Sequence, residues 1–306
     1  MEKLIMKDSL GNDIHLYSYL PKTDAKAVVQ IIHGASEHFA RYGLFADYLN
    51  KHGYAVVGCD ILGHGLSSPT SDYVHFADKL PQEAAFESIV LVKEYIANNF
   101  PGKPIYLLGH SMGSFLGLVS LMRFPEFYQK AILSGMTVVS LPMVHVATLI
   151  GKLIHLFKGP KHVSKLMQNL LIDSSHVKMR KKGIISGINE EWLTKDVTIQ
   201  NYYHESKICG QPFTVSANLA LLSWLRMVNT KKNLLKLPKA TKIMFASGTD
   251  DPLGGFGEGI KKLHSFLVKS EFKNVSMKLY DNDRHEILNE TDKNQVFADF
   301  LDFFDK

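Results

Sequence analysis

Residues 105–124 read Ile-Tyr-Leu-Leu-Gly-His-Ser-Met-Gly-Ser-Phe-Leu-Gly-Leu-Val-Ser-Leu-Met-Arg-Phe. The apolar run Ile105 to Leu108 has the length and composition of a buried strand. A helical pattern follows from Phe115 to Phe124 and is stopped by Pro125. Between them stands Gly109-His110-Ser111-Met112-Gly113, a G-x-S-x-G pentapeptide. A serine hydroxyl is a weak nucleophile at neutral pH and needs a base, an orienting acid and donors for a developing oxyanion. This motif supplies the geometry: the serine sits on a sharp strand-to-helix turn, and the flanking glycines let the chain fold tightly around it. The pentapeptide arises by chance about one time in ten in a chain this long, given ordinary glycine usage. Its strand–turn–helix setting is what makes Ser111 a candidate nucleophile.

Outward from this turn the chain alternates strands and helices. Lys3 to Lys7 and Ile14 to Leu20 read as a hairpin about Gly11-Asn12. Ala27 to Ile32 is a buried strand, Leu44 to Leu49 a helix ended by Gly53, Tyr54 to Cys59 a second buried strand, and Ala84 to Asn99 a helix. Ala131 to Leu133 is again a strand. The rhythm stops after Ser134-Gly135 and resumes with a strand at Lys242 to Ala246, a helix at Ile260 to Val268, a strand at Val275 to Tyr280 and a helix at Asp292 to Phe304. This pattern predicts an α/β fold with a mostly parallel sheet covered on both faces. It divides into a core of residues 1–136 and 241–306 and a helical insertion, 137–240, over the carboxyl edge as a cap.

In such folds the partners of the nucleophile follow in the order serine, acid, histidine. Asp250 and Asp251 follow the strand ending at Ala246, and His285 follows the strand ending at Tyr280. Both loops lie at the same carboxyl edge of a parallel sheet as Ser111. Pro252 biases Asp251 towards an extended backbone, which favours it over Asp250 without deciding between them. His33-Gly34-Ala35 leaves the first buried strand where one oxyanion N–H is usually drawn, so the amides of Ala35 and Met112 are the candidate donors.

At these residues the chain resembles the monoglyceride lipase and lysophospholipase branch of the α/β-hydrolases, often grouped with the S33 serine aminopeptidases. The resemblance is carried by His33-Gly-Ala-Ser-Glu-His38 with Arg41-Tyr42, by Asp60-Ile-Leu-Gly-His-Gly-Leu-Ser67, by Gly109–Gly113, by Asp251-Pro252 and by Arg284-His-Glu-Ile-Leu-Asn-Glu290. Trp192 to Asp196 and Ile208 to Phe213 resemble the family's cap. The resemblance implies that Asp251 is the triad acid. It further implies that Glu37 and Arg41 pair beneath the oxyanion loop and that His110 lies near a bound glycerol. Ser36 stands where the family commonly has glycine.

With 306 residues, 45% of them hydrophobic and 21% charged, the composition is that of a globular chain. The N-terminus lacks the apolar run of a signal peptide, no continuous apolar run reaches membrane-spanning length, and Cys59 and Cys209 read as free thiols of a cytoplasmic protein. Residues 136–240 hold 15 Lys plus Arg and 5 Asp plus Glu, net +10, leaving −5 for the rest. Lys178-Met-Arg-Lys-Lys182 is the densest cluster; it reads as a solvated face or as a contact with anionic lipid. No recognition module accompanies the charge, which disfavours nucleic acid. Leu141 to Phe157 reads either as a helix packed on the core or as an apolar acyl-chain wall partly exposed to membrane. No metal or cofactor is expected: Gly254 to Gly259 lacks GxGxxG and P-loop spacing, and Asn289 replaces the second histidine of HExxH. The expected activity is serine-dependent hydrolysis of a lipid ester, monoacylglycerol or lysophospholipid. A proline iminopeptidase-like aminopeptidase and a short-chain carboxylesterase are the alternatives, and a non-catalytic binding protein on the same fold is disfavoured.

Overall fold

The computed structural model describes all 306 residues, apart from the side chains of residues 172–174. The strands are β1 (Glu2–Lys7), β2 (Asp13–Tyr19), β3 (Ala27–Ile32), β4 (Tyr54–Cys59), β5 (Ile105–His110), β6 (Lys130–Ser134), β7 (Lys242–Gly248) and β8 (Val275–Tyr280). They form one sheet in the order β1-β2-β4-β3-β5-β6-β7-β8. The six strands from β4 to β8 in this order run parallel, and the β1–β2 hairpin adds antiparallel to β4.

The helices are α1 (Gly43–Lys51), α2 (Pro81–Asn99), α3 (Met112–Arg123), α4 (Leu141–Lys158), α5 (Lys165–Gln168), α6 (Ser174–Lys181), α7 (Val197–Glu205), α8 (Val215–Asn229), α9 (Lys231–Leu234), α10 (Glu258–Lys269) and α11 (Lys293–Asp305). Side chains alternate across a strand, so Val28 and Ile32 of β3 face one apolar cluster while Ala27, Val29 and Ile31 face another. The first cluster takes Phe86 of α2, Leu116 of α3 and Leu263 of α10; the second takes Phe45 of α1 and Phe300 of α11. Burial on both faces is why these strands read as continuous apolar runs rather than alternating ones. Each buried phenylalanine contributes about 1.5–3 kcal/mol.

Between β6 and β7 the described residues form helices and loops. Helix α8 packs into the first cluster through Leu222, Trp224 and Leu225, so this segment shares an apolar core with the sheet. Helix α4 packs through Val144, Ala147 and Gly151 but leaves Leu149, Leu156 and Phe157 exposed, the last at 77%. Its 18 residues, of mean hydropathy 1.2, are long and apolar enough to cross a membrane by length and composition. His145, Lys152, His155 and Lys158 interrupt its apolar residues, so it holds no continuous apolar run of that length.

Candidate active site

Strand β5 delivers Ser111 at φ +52° and ψ −118°, a left-handed backbone that a serine adopts only under constraint. The constraint is visible. Ser111 N–H donates to Ser134 O at 2.8 Å, and both the amide and the hydroxyl of Ser114 donate to Ser111 O at 2.9 and 2.6 Å. A Cβ on Gly113 would stand 2.0 Å from Ile32 O, and one on Gly109 would stand 2.3 Å from Gly113 O. Both glycines of the pentapeptide are therefore demanded by close backbone approach.

His285 and Asp251 lie at the carboxyl edge beside this turn. Nδ1 of His285 donates to Asp251 Oδ2 at 3.0 Å, and Asp251 Oδ1 accepts Leu253 N–H at 2.9 Å. Both side chains are buried. Burial opposes charge on each, but their mutual attraction outweighs it: Asp251 is held below the usual carboxylate range and His285 above the usual imidazole value. Asp250 is half-buried and takes no part in this pair, so the structure puts Asp251 on His285. Ser111 and His285 line one cavity of about 280 Å³. Among the described residues the Ser111 hydroxyl makes no hydrogen bond.

Ala35 and Met112 line the same cavity, and neither backbone N–H donates to another described group. Two free amides beside a serine are what an oxyanion requires. The loop carrying Ala35 is held from below. Glu37 Oε1 accepts Gly34 N–H at 2.6 Å and the Tyr42 hydroxyl at 2.7 Å, while Arg41 donates to Glu37 Oε2 at 2.6 Å. Arg41 also donates through both terminal nitrogens to Glu286 at 2.6 Å each. Burial would raise the Glu37 pKa, yet Arg41 and two nearby histidines hold it well below the usual range. His110 lines the cavity with its ring centroid 4.8 Å from that of His285; burial, and then the charge of His285, pushes its pKa down to about 4.

Residues between β6 and β7 complete the site. The Trp192 ring stacks on His285 at 4.7 Å and 23°, its carbonyl accepts His285 N–H, and Leu193 O accepts Glu286 N–H at 2.7 Å. Ser36, at φ +54°, donates its hydroxyl to Gln211 O at 2.7 Å and accepts Gly210 N–H and the Tyr203 hydroxyl on its carbonyl. The cavity walls combine Phe115, Leu171, Leu221, Leu225 and Leu253 with Asn189, Glu190 and Tyr203. No residue of α4 lines it, which corrects the reading of α4 as an acyl-chain wall: its packed face meets α8 and its apolar stripe faces outward.

Sequence reasoning assigned no role to Glu286, Trp192 or Tyr203. Glu286 stood beside His285 in the sequence, and Trp192 was one of two tryptophans, but only the fold brings either to the site.

A family model described as Hydrolase_4, serine aminopeptidase S33, matches residues 23–292. The chain is 30% identical to a monoglyceride lipase homolog of Monkeypox virus over 93% of this chain and 91% of that protein. It is 35% identical to a monoacylglycerol lipase of Mycolicibacterium smegmatis, over 44% of this chain and 48% of that one. The fold matches a thermostable carboxyl esterase from Bacillus coagulans, solved in complex with glycerol, with a TM-score of 0.87 at 19% identity, covering 99% and 97% of the two chains.

Proposed function

We propose that this chain, which belongs to the Hydrolase_4 family of serine aminopeptidase S33 type, is a monoglyceride-lipase-like carboxylic-ester hydrolase that works through an acyl-enzyme on Ser111. His285 takes the proton from Ser111 as the hydroxyl attacks the ester carbonyl. Asp251 fixes the imidazole tautomer and stabilises the imidazolium. The amides of Ala35 and Met112 receive the oxyanion. His285 then returns its proton to the leaving alcohol, and water, activated by the same imidazole, releases the acid. Glu37, Arg41 and Glu286 hold the oxyanion loop and the histidine loop in register, and His110 stays neutral beside the alcohol. The observation that carries this reading is the buried Asp251–His285 pair opening onto the same apolar-walled cavity as a strained Ser111.

The substrate is a lipid ester, a monoacylglycerol or a lysophospholipid, in keeping with the names of the relatives. Residues 137–240 act as a cap over the cavity. The exposed stripe of α4 and the basic run Lys178–Lys182 dock the cap peripherally on anionic membrane, at about 1 kcal/mol per charge. The enzyme works in the cytoplasm, a reading supported by two buried free thiols. A short-chain carboxylesterase is the second reading, favoured by a cavity at the low end of the usual range of ligand pockets. An aminopeptidase is disfavoured, because residues 136–240 hold 5 Asp plus Glu against 15 Lys plus Arg; of the cavity-lining carboxylates, Glu37 and Glu286 share Arg41 and Glu190 contacts His204. A panel of monoacylglycerols, lysophospholipids, p-nitrophenyl esters and proline arylamides tests the reading. The highest kcat/KM is expected on monoacylglycerols or lysophospholipids; a preference for the arylamides would overturn it.

A further inference from the structure

A second cavity, of about 270 Å³, lies apart from the first between α4, α8 and the first turn of α2. Lys152 and His155 reach it from one face of α4, Ser223 and Arg226 from one face of α8 at a spacing of three, and Gln82 from α2. The side chains of these five residues have no hydrogen-bond or ion-pair partner among the described residues. The one acid lining it, Asp78, is exposed and lies 3.1 Å from His75 Nε2. Three half-buried polar side chains, Gln82, His155 and Ser223, and two exposed cations, Lys152 and Arg226, thus line one cavity, a lining that suits an oxyanion of phosphate size.

The neighbouring face of α4 narrows the ligand. Leu149, Leu153, Leu156 and Phe157 run along it, each at least half exposed. The same helix thus offers a cationic cavity on one flank and an apolar stripe on the next. We propose that the cavity holds the phosphate of an anionic membrane phospholipid whose acyl chains lie along the exposed stripe of α4. This rests on the reading that the cap meets a membrane. It adds one defined lipid site to what would otherwise be diffuse attraction, and it fixes how the cap is oriented on the surface.

Co-sedimentation of the intact protein with vesicles tests it, using pure phosphatidylcholine and phosphatidylcholine mixed with phosphatidylglycerol. The wild type binds the mixed vesicles more tightly. Lys152→Gln/Arg226→Gln loses more than about a hundredfold on the mixed vesicles, beyond the roughly thirtyfold that two charges supply, and nothing on pure phosphatidylcholine. Lys181→Gln/Lys182→Gln removes the same charge from the basic run at the end of α6 and loses only that roughly thirtyfold. Equal losses in the two variants would overturn the proposal, since they report charge and not a site. Binding of inorganic phosphate that depends on Lys152 and Arg226, with no vesicle preference, would also overturn it and assign the cavity to free phosphate. Hydrolysis of a dispersed p-nitrophenyl ester is unchanged in both variants. Absence of lipid-ester hydrolysis in the wild type would sink the proposed function while leaving the vesicle result standing.

Discussion

Arg41→Met isolates the charge network beneath the oxyanion loop. Arg41 is 3% exposed and makes three charge-assisted hydrogen bonds of 2.6 Å to two carboxylates that are themselves 3% and 4% exposed. Removing the guanidinium leaves two buried like charges unpaired, and breaking one such pair costs about 3–5 kcal/mol. Two carboxylates share this cation, so the expected loss is at or above about 5 kcal/mol, comparable with the whole stability of a marginal protein. Glu37 also accepts the Gly34 amide, so its displacement moves Ala35 and lowers kcat in whatever protein remains folded. The triple variant Arg41→Met/Glu37→Gln/Glu286→Gln removes all three charges together. It should recover most of the lost stability, because a buried network replaced as a unit costs little, while kcat stays low. Urea unfolding followed by fluorescence measures all three proteins. A single variant within about 1 kcal/mol of wild type would refute the reasoning, and so would a triple variant less stable than the single one.

Other outcomes follow from neighbouring geometry. Asp251→Asn should lower kcat by about 10⁴ by disturbing the imidazole tautomer, while Asp250→Asn stays close to wild type on the same ester. A protonated imidazole cannot accept the Ser111 proton, so kcat/KM falls as pH drops through the raised His285 pKa, with an acid limb above the ordinary 6.5; Asp251→Asn shifts that limb to lower pH in a pH–rate profile. Ser36→Ala loses the bond to Gln211 but keeps the left-handed backbone, at about 1 kcal/mol, whereas Ser36→Gly loses the bond and relieves a similar strain. Thermal unfolding should therefore place the Gly variant above the Ala variant. Gly113→Ala, whose Cβ would meet Ile32 O, should cost about 3 kcal/mol or more in urea unfolding.

The sheet was legible in the sequence because its central strands are buried on both faces and so write uninterrupted apolar runs such as Tyr54 to Cys59. Boundaries moved by at most three residues, mostly where turns or caps, not apolar pattern, decide them: α2 begins at Pro81 rather than Ala84, because proline fits the first helical position. Ser111, His285 and an acid at 250 or 251 were legible from order and loop position; the choice of Asp251 came from the family resemblance, and the structure sets it on His285. Glu286, Trp192 and Tyr203 were not. Their partners lie between 93 and 245 residues away in the chain, and no local spacing encodes such contacts. Helix α4 shows the opposite failure. Its apolar residues were counted correctly, but only packing tells which face meets α8 and which is left outside.

Fluorophosphonate labelling followed by peptide mass spectrometry tests the central claim most directly. One label per chain should appear on the peptide containing Ser111, with ester hydrolysis lost in proportion, and Ser111→Ala should take no label and lose turnover by more than about a thousandfold while unfolding like the wild type. Label on any other residue, or ester turnover that survives in Ser111→Ala, would contradict the account.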